Sequence, residues 1–264
     1  MNTLDEKHVQ RLGQRLDEAR RTRKPIAPLT EETPGLTIDD GYRISRAQLA
    51  MRLVEKRERV AGWKVGLMSA ATRAQVGIDQ PLLGYVLAST IHADAVELPA
   101  ADFIAPGAEA EVAFLMGRDL AGPGVSLGAA ILAVEGAVAA LEIVDCRYPD
   151  YKFRGPDAAA DNNCGAGAVL GNRIVPLREL DLPLEGLVWE HGDRRVATAT
   201  AAEVNGTPLA SVVWLANKLG EWGLRLHAGD VVLAGSIAKF LRLGAGESAR
   251  ARFTRLGSVS VRVV

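Results

Sequence analysis

Three glutamates stand where their chemistry would be costly without a partner. Glu109 and Glu111 sit one residue apart in Pro106-Gly107-Ala108-Glu109-Ala110-Glu111-Val112-Ala113-Phe114-Leu115-Met116, and Glu142 sits in Ala139-Ala140-Leu141-Glu142-Ile143-Val144-Asp145. The apolar run after Glu111 reads as a buried strand, in which residues i and i+2 share a face roughly 6.6–7 Å apart. Two carboxylates side by side raise each other's pKa unless a cation lies between them; the alternative is an exposed strand end with two solvated glutamates. Glu142 lies inside an apolar, β-like run, so it must pair with an Arg or Lys or ligate a metal to offset its desolvation. Three carboxylates without a neighbouring His or Cys make a hard-oxygen site, suited to Mg²⁺ or Mn²⁺ with positions left open for water or a chelating substrate. Zinc is disfavoured, because His8, His92, His191 and His227 lie in segments with no ligand-like spacing.

A cation and a fourth acid accompany them. In Gly62-Trp63-Lys64-Val65-Gly66-Leu67 the alternation puts Trp63, Val65 and Leu67 toward a core. Lys64 falls on the other face between two glycines, where a ligand could approach the backbone and Lys64 could reach an anion. An exposed Lys on an edge strand is the competing reading. Asp79, in the Gly- and Pro-bounded stretch Gly77-Ile78-Asp79-Gln80-Pro81, is a cap, a turn residue or an acid/base group.

The elements that must position these groups fall in three zones. Up to about residue 59 the pattern is helical, with Leu12, Leu16 and Ala19 at helical spacing and a second helix from Ile38 through Val54 behind the acidic pair Asp39 and Asp40. The prolines of Lys24-Pro25-Ile26-Ala27-Pro28-Leu29 make an extended connector between them. From Val60 to about Gly171 short strands and Gly-rich turns surround one helix, expected over Leu127 to Val138 behind Ser126 as N-cap. From Asn172 onward strands flank a helix over Ser211 to Leu219, and the β run Ser258 to Val264 closes the chain. The expected organisation is an N-terminal helical region, 1–59, on a β-rich metal-binding catalytic domain, 60–264.

Composition narrows the function classes. The 264 residues, 48% hydrophobic and 24% charged, can build a real core, which excludes a disordered or collagen-like chain. With 31 Lys+Arg against 32 Asp+Glu the net charge is −1, so nothing attracts a polyanion globally and nucleic-acid binding is not the main task. Two cysteines, Cys146 and Cys164, fit a reducing cytosol better than a disulfide scaffold. The charged start, Met1 to Arg21, has no apolar core of a secretory signal. The apolar stretch Ala129 to Val144 is broken by Glu135, Gly136 and Glu142, short of the ~18 residues of a membrane span. A soluble, cytoplasmic protein is expected.

Taken together, Gly62 to Leu67, Gly77 to Pro81, Glu109-Ala110-Glu111, Ala140 to Asp145, Ala160-Asp161-Asn162 and Leu256-Gly257-Ser258-Val259-Ser260 occur in an order that resembles the 2-keto-4-pentenoate hydratase and 2-oxo-3-hexenedioate decarboxylase group of the fumarylacetoacetate hydrolase superfamily. The resemblance implies an α/β (α+β) fold, a mixed β-roll or distorted barrel with an N-terminal helical part, and assembly into homo-oligomers, with association with another enzyme of the same pathway also open. It implies Glu109, Glu111 and Glu142 as ligands of Mg²⁺ or Mn²⁺, Lys64 and Asp79 as catalytic residues, and Leu67, Ser69, Asp161 and Ser236 as substrate-binding residues. The implied reaction is hydration of 2-hydroxypenta-2,4-dienoate, or a close analogue, to a 4-hydroxy-2-oxo acid in aromatic-compound catabolism. The metal would chelate the carboxylate and adjacent oxygen of a small 2-oxo acid or dienol, and stabilise its enolate.

The alternatives are decarboxylation of 2-oxo-3-hexenedioate, for whose distal carboxylate Arg147, Lys152 and Arg154 are on offer, C–C hydrolysis of an acylpyruvate, and a non-catalytic partner subunit. Three positions depart from the family pattern: Gly107 where Arg is usual, Met68 where Thr is usual, and Glu203 where small residues run.

Overall fold

The computed structural model describes residues 4–55 and 57–264, without side-chain detail at 55, 71, 75 and 76. The first residues of the charged N-terminal segment, 1–3, lie outside the described residues. Helix α1 (Glu6–Thr22) starts where the Asp5 side chain accepts from the His8 N–H, and Arg20 and Arg21 lie in its last turn, against the negative end of the helix dipole. Its stripe of Val9, Leu12, Leu16 and Ala19 is buried. After the one-turn α2 (Leu29–Glu32), α3 (Ile38–Glu55) begins with Asp39 and Asp40 in its first turn. These helices close a core of their own with Leu29, Leu36, Ile44 and Ala47, and that core takes in Cys146, Tyr148, Ala160 and Cys164 from much later in the chain.

The body that follows runs β1 (Val60–Gly66), α4 (Ala70–Val76), β2 (Leu82–Leu87), β3 (Ile91–Ala93), β4 (Val96–Leu98), β5 (Gly107–Met116), α5 (Leu127–Ala133), β6 (Val134–Val144), α6 (Gly155–Ala160), β7 (Gly165–Leu170), β8 (Gly186–His191), β9 (Arg194–Thr200), α7 (Leu209–Gly220), β10 (Val231–Ser236), β11 (Leu241–Arg242), β12 (Ser248–Phe253) and β13 (Gly257–Val263). The larger sheet has the order β2-β1-β10-β5-β6-β7-β3, with β11 also paired to β5; the smaller has the order β4-β13-β12-β8-β9. Both are mixed: β1 runs parallel to β10, and β13 parallel to β4, among antiparallel neighbours. The main core, including Val65, Phe114, Leu141, Trp189 and Leu215, is contiguous across the body. The sheets stay separate and neither closes on itself, so the roll is open and there is no closed barrel.

Two local expectations change. The helix capped by Ser126 stops at Ala133 rather than Val138. From Val134 the backbone pairs with β5 all the way to Val144 opposite Gly107, and a ladder of that length, rich in β-branched residues, overrides the helical tendency of the alanines. The other concerns Gly62. Its backbone is approached by a strand and not by a ligand: a Cβ there would lie 2.0 Å from the Val231 carbonyl oxygen of β10, its partner in register.

Candidate active site

Strands β5 and β6 set Glu109 directly opposite Glu142 and Glu111 opposite Ala140, while Ser236 of β10 faces Glu111 from the other side. Period-2 alternation puts Glu109 and Glu111 on one face, and the cross-strand pairing adds Glu142 to it. One oxygen from each of the three lies within 4.8 Å of the others. Glu111 and Glu142 are buried and Glu109 is half-buried. Burial pushes all three carboxyls above the ordinary range; Glu142 and Glu109 raise Glu111 further, while the Gly235 N–H, donating to Glu111 Oε2 at 2.8 Å, opposes the rise. Glu142 is pushed up to about 7 by its burial, Lys64 opposing and Glu109 adding to it.

Lys64 is 3% exposed and faces inward, not outward on an edge. Its Nζ lies 2.5 Å from Glu142 Oε1 and donates to the Asn163 carbonyl at 2.8 Å. Burial alone would lower the pKa of this amine; Glu142 and Glu109 outweigh it and hold the ammonium form. One ammonium against three carboxylates leaves the cluster short of positive charge. Glu111 Oε1 and Glu142 Oε2 are buried without a hydrogen-bond partner, and Glu142 Oε1 meets Lys64 without the alignment of a hydrogen bond. Orphaned carboxylate oxygens in a dry site are what a divalent cation satisfies, and an all-oxygen set suits a hard one. The residues therefore fit a hard divalent cation.

The Asn163 carbonyl reaches Lys64 because Asn162, Asn163 and Cys164 all adopt left-handed backbone, with φ of 50°, 50° and 57°. Asn162 anchors that turn: its Oδ1 accepts from the Tyr85 N–H at 2.8 Å and its Nδ2 donates to the Tyr85 carbonyl at 3.0 Å. Asn163 and Gly235 act on the cluster through backbone atoms; the family resemblance includes Gly235 beside Ser236 at the strand end of the pocket, and Asn163 is the residue that the sequence does not single out. The consecutive asparagines were the available signal for Asn163, since Asn tolerates the left-handed region best among non-glycine residues.

The remaining expected site residues spread out. Leu67, with φ 60°, follows β1 directly and its carbonyl accepts from Arg73 Nη1 at 3.2 Å. Ser69 caps α4, accepting from the Thr72 N–H at 3.2 Å. Asp79 is exposed in the turn beyond α4. Ser236 donates to the Ala238 carbonyl at 2.6 Å. Asp161 is placed differently from expectation. It is fully buried, and both its oxygens are engaged by Arg147, through the guanidinium Nε and the backbone N–H at 3.0 Å. Its desolvation, opposed by Arg147, pushes it up to about 6. The same pairing commits Arg147 away from any distal carboxylate, and Lys152 and Arg154 are exposed. It also sets a guanidinium against the Cys146, Asp161 and Cys164 group, the other place among the described residues where metal-ligating atoms gather.

The three departures have structural counterparts. At Gly107 a Cβ would meet the Phe240 ring at 2.1 Å and the Leu241 carbonyl at 2.5 Å, so Phe240 fills the space that a side chain would need. Met68 is buried beside Gly235, and Glu203 is exposed in a short 3₁₀ turn.

Comparison with known proteins adds four likenesses. Residues 61–264 match the family described as fumarylacetoacetate (FAA) hydrolase C-terminal. A 2-hydroxyhexa-2,4-dienoate hydratase of Comamonas testosteroni is 35% identical over 260 residues, covering 97% of this chain and 98% of that protein. A 2-keto-4-pentenoate hydratase of Burkholderia vietnamiensis is 36% identical over 255 residues, covering 97% of each. Among solved structures, 4-oxalocrotonate decarboxylase from Pseudomonas putida G7, complexed with magnesium and adipate, superposes with a TM-score of 0.95 at 31% identity over 100% of both chains.

Proposed function

This chain belongs to the fumarylacetoacetate hydrolase family, and on that premise we propose that it is a divalent-metal-dependent hydratase, a lyase that adds water to 2-hydroxypenta-2,4-dienoate or a close analogue to give a 4-hydroxy-2-oxo acid. The observation that supports this most is the cluster of Glu109, Glu111 and Glu142, buried oxygens unpartnered, in a chain alike over nearly its full length to two proteins named as hydratases of such dienoates. The three glutamates are the ligands in this reading, with Mg²⁺ or Mn²⁺ as the ion. When bound, the ion supplies Lewis acidity that stabilises negative charge developing on the 2-oxygen of the substrate. Lys64 donates one of its three N–H bonds to the Asn163 carbonyl and stands in ion contact with Glu142, and its remaining donors are left to hold the anionic end of the substrate. Gly235 fixes Glu111 through its N–H, so the orientation of that carboxylate is set before substrate arrives. Asp79, in contact with solvent, is the group assigned to move protons: the dienol first loses the proton on its 2-oxygen and gains one at C5, giving the α,β-unsaturated ketone, and water then adds its hydroxyl at C4 and its hydrogen at C3. Leu67, Ser69 and Ser236, which follow β1 or line β10, form the assigned substrate wall.

The second reading is decarboxylation of 2-oxo-3-hexenedioate, which the high structural similarity to a 4-oxalocrotonate decarboxylase favours. It needs a cation for the second carboxylate, and Arg147 is already committed to Asp161. Hydration therefore leads.

The reading places the enzyme in aromatic-compound catabolism in the cytoplasm; no helix among the described residues is long and apolar enough to cross a membrane. It includes assembly with copies of itself, for which the apolar outer face of the larger sheet at Leu115, Leu170 and Ile174 is suited. The deciding experiment follows the ultraviolet absorbance of freshly generated 2-hydroxypentadienoate and 2-hydroxymuconate with Mg²⁺, and identifies products by mass. Gain of water by the first supports the hydratase; loss of carbon dioxide from the second, with the first unchanged, overturns it.

A further inference from the structure

A cavity of about 350 Å³ opens between the ends of α1 and α3 and the strands β3 and β4, and none of the residues assigned to the reaction lines it. Arg20, Arg52 and Arg147 line it together with Thr90, His92 and Phe103. These cations are not equivalent. Arg147 is buried in its pair with Asp161, and Arg20 is 28% exposed and shared with Asp17 at 2.6 Å. Arg52 is half-buried; among the described residues it enters no ion pair, and its Nε is buried without a hydrogen-bond partner. Burial and the nearby Arg20 both work against its charge and outweigh the support it draws from Tyr85 and Glu58. A guanidinium kept charged beside another, with a donor left unused, lacks an anion.

The acids of the cavity do not fill that place. Asp145 accepts from the N–H groups of Ile104 and Ala105, and Glu97 and Asp102 are solvent-exposed, where water screens their charge. His92 is held toward its neutral form by burial, so it can both donate and accept.

We propose that this cavity is a second ligand site, for a small anionic metabolite whose carboxylate or phosphate group is held in the fork of Arg52 with Arg20 beside it. The apolar wall at Leu98 and Phe103 would take the body of such a molecule. The site has a physical route to the glutamate cluster. Arg52, Thr90, Gly165 and Ala166 also line a narrow crevice that reaches Lys64 and Glu142 and has room for about one water. Occupancy of the cavity is thereby set to affect the hydration around Lys64, whatever the reaction is. The inference stands on the cavity and its arginines and does not need the hydratase reading.

The test is calorimetric titration of the Mg²⁺-loaded full chain with inorganic phosphate and, separately, with succinate. Binding of either probe is expected, at least tenfold weaker in Arg52→Gln and in Arg20→Gln, partly restored in Arg52→Lys, and retained in Glu111→Gln, which removes a carboxylate of the other site. Which probe binds identifies the anion class. Binding that is unchanged in both arginine variants, binding that disappears only in Glu111→Gln, or no binding of either probe at tens of millimolar overturns the proposal. Melting curves of the variants confirm that each is folded before its titration is read.

Discussion

Glu142, raised to about 7 by burial beside Glu109, gives the metal-free protein an unusual pH dependence. An unfolded Glu titrates near 4.3. Between the two values the folded state holds a proton that the unfolded state has lost, so stability falls as pH rises through this window. Glu109 and Glu111 act in the same direction. Each unit by which such a pKa is raised removes about 1.4 kcal/mol across the window, worth about 2–4 °C in Tm for a chain of this size. The metal-free protein is therefore expected to melt several degrees lower at pH 7.5 than at pH 5, with added Mg²⁺ raising Tm more at the higher pH, where it displaces fewer protons. Replacing Glu111 by Gln should flatten the slope, by removing one of the repelling charges, and should abolish metal-dependent turnover. Parallel slopes in the two proteins, read by differential scanning fluorimetry with a chelator present, would exclude the cluster as the source.

At the scale of elements, the cluster is only as well placed as the strands that carry it. Lys64 belongs to β1, whose parallel partner β10 also bears Gly235, the donor to Glu111. Gly62 allows these two backbones to meet, since Val231 stands where its Cβ would be. Gly62→Ala must push the strands apart; a loss of about 3 kcal/mol is expected from overpacking against backbone that cannot rotate away. The same shift moves Lys64 relative to Glu142, so kcat should fall as well as Tm, and a stable variant with full turnover would contradict it. This dependence was hidden in the sequence, where Gly62 and Gly66 around Lys64 suggested room for a ligand. Glu109, Glu111 and Glu142 were legible because a charged residue in an apolar period-2 run has few places to go. The boundary between α5 and β6 was not, because an apolar, alanine-rich run suits helix and strand alike until its partner is known. Nor were the Asn163 carbonyl and the Gly235 N–H, which are backbone atoms aimed by tertiary contacts. The pairing of Asp161 is illegible for a related reason: the sequence shows the acid but not that Arg147, fourteen residues earlier, closes on it.

Over the whole molecule, the sequence reads as a helical N-terminal region set on a β-rich body, and the contacts between them point to a single cooperative unit. Tyr42 of α3 is buried in the core of the body, its ring edge-on to Trp222 at 5.0 Å, and its hydroxyl accepts from the Leu83 N–H of β2 at 3.1 Å. Gln48 donates to the Ala160 carbonyl at 2.7 Å, and Thr30 gives both its N–H and its hydroxyl to Asp157, at 2.9 and 2.7 Å. The helices in turn need Tyr148 and Cys164 to complete their own core. Neither part can open without exposing apolar surface and stranding buried polar groups of the other. Calorimetry of the full chain is therefore expected to show one transition, with calorimetric and van't Hoff enthalpies equal. Tyr42→Phe leaves the Leu83 N–H buried without an acceptor, at about 1–3 kcal/mol, and it should lower the Tm of that one transition. If Tyr42→Phe instead split off a low-temperature peak while the rest melted as before, the helices would be a separate folding unit, and the α3 contact with β2 would be an interface between two domains.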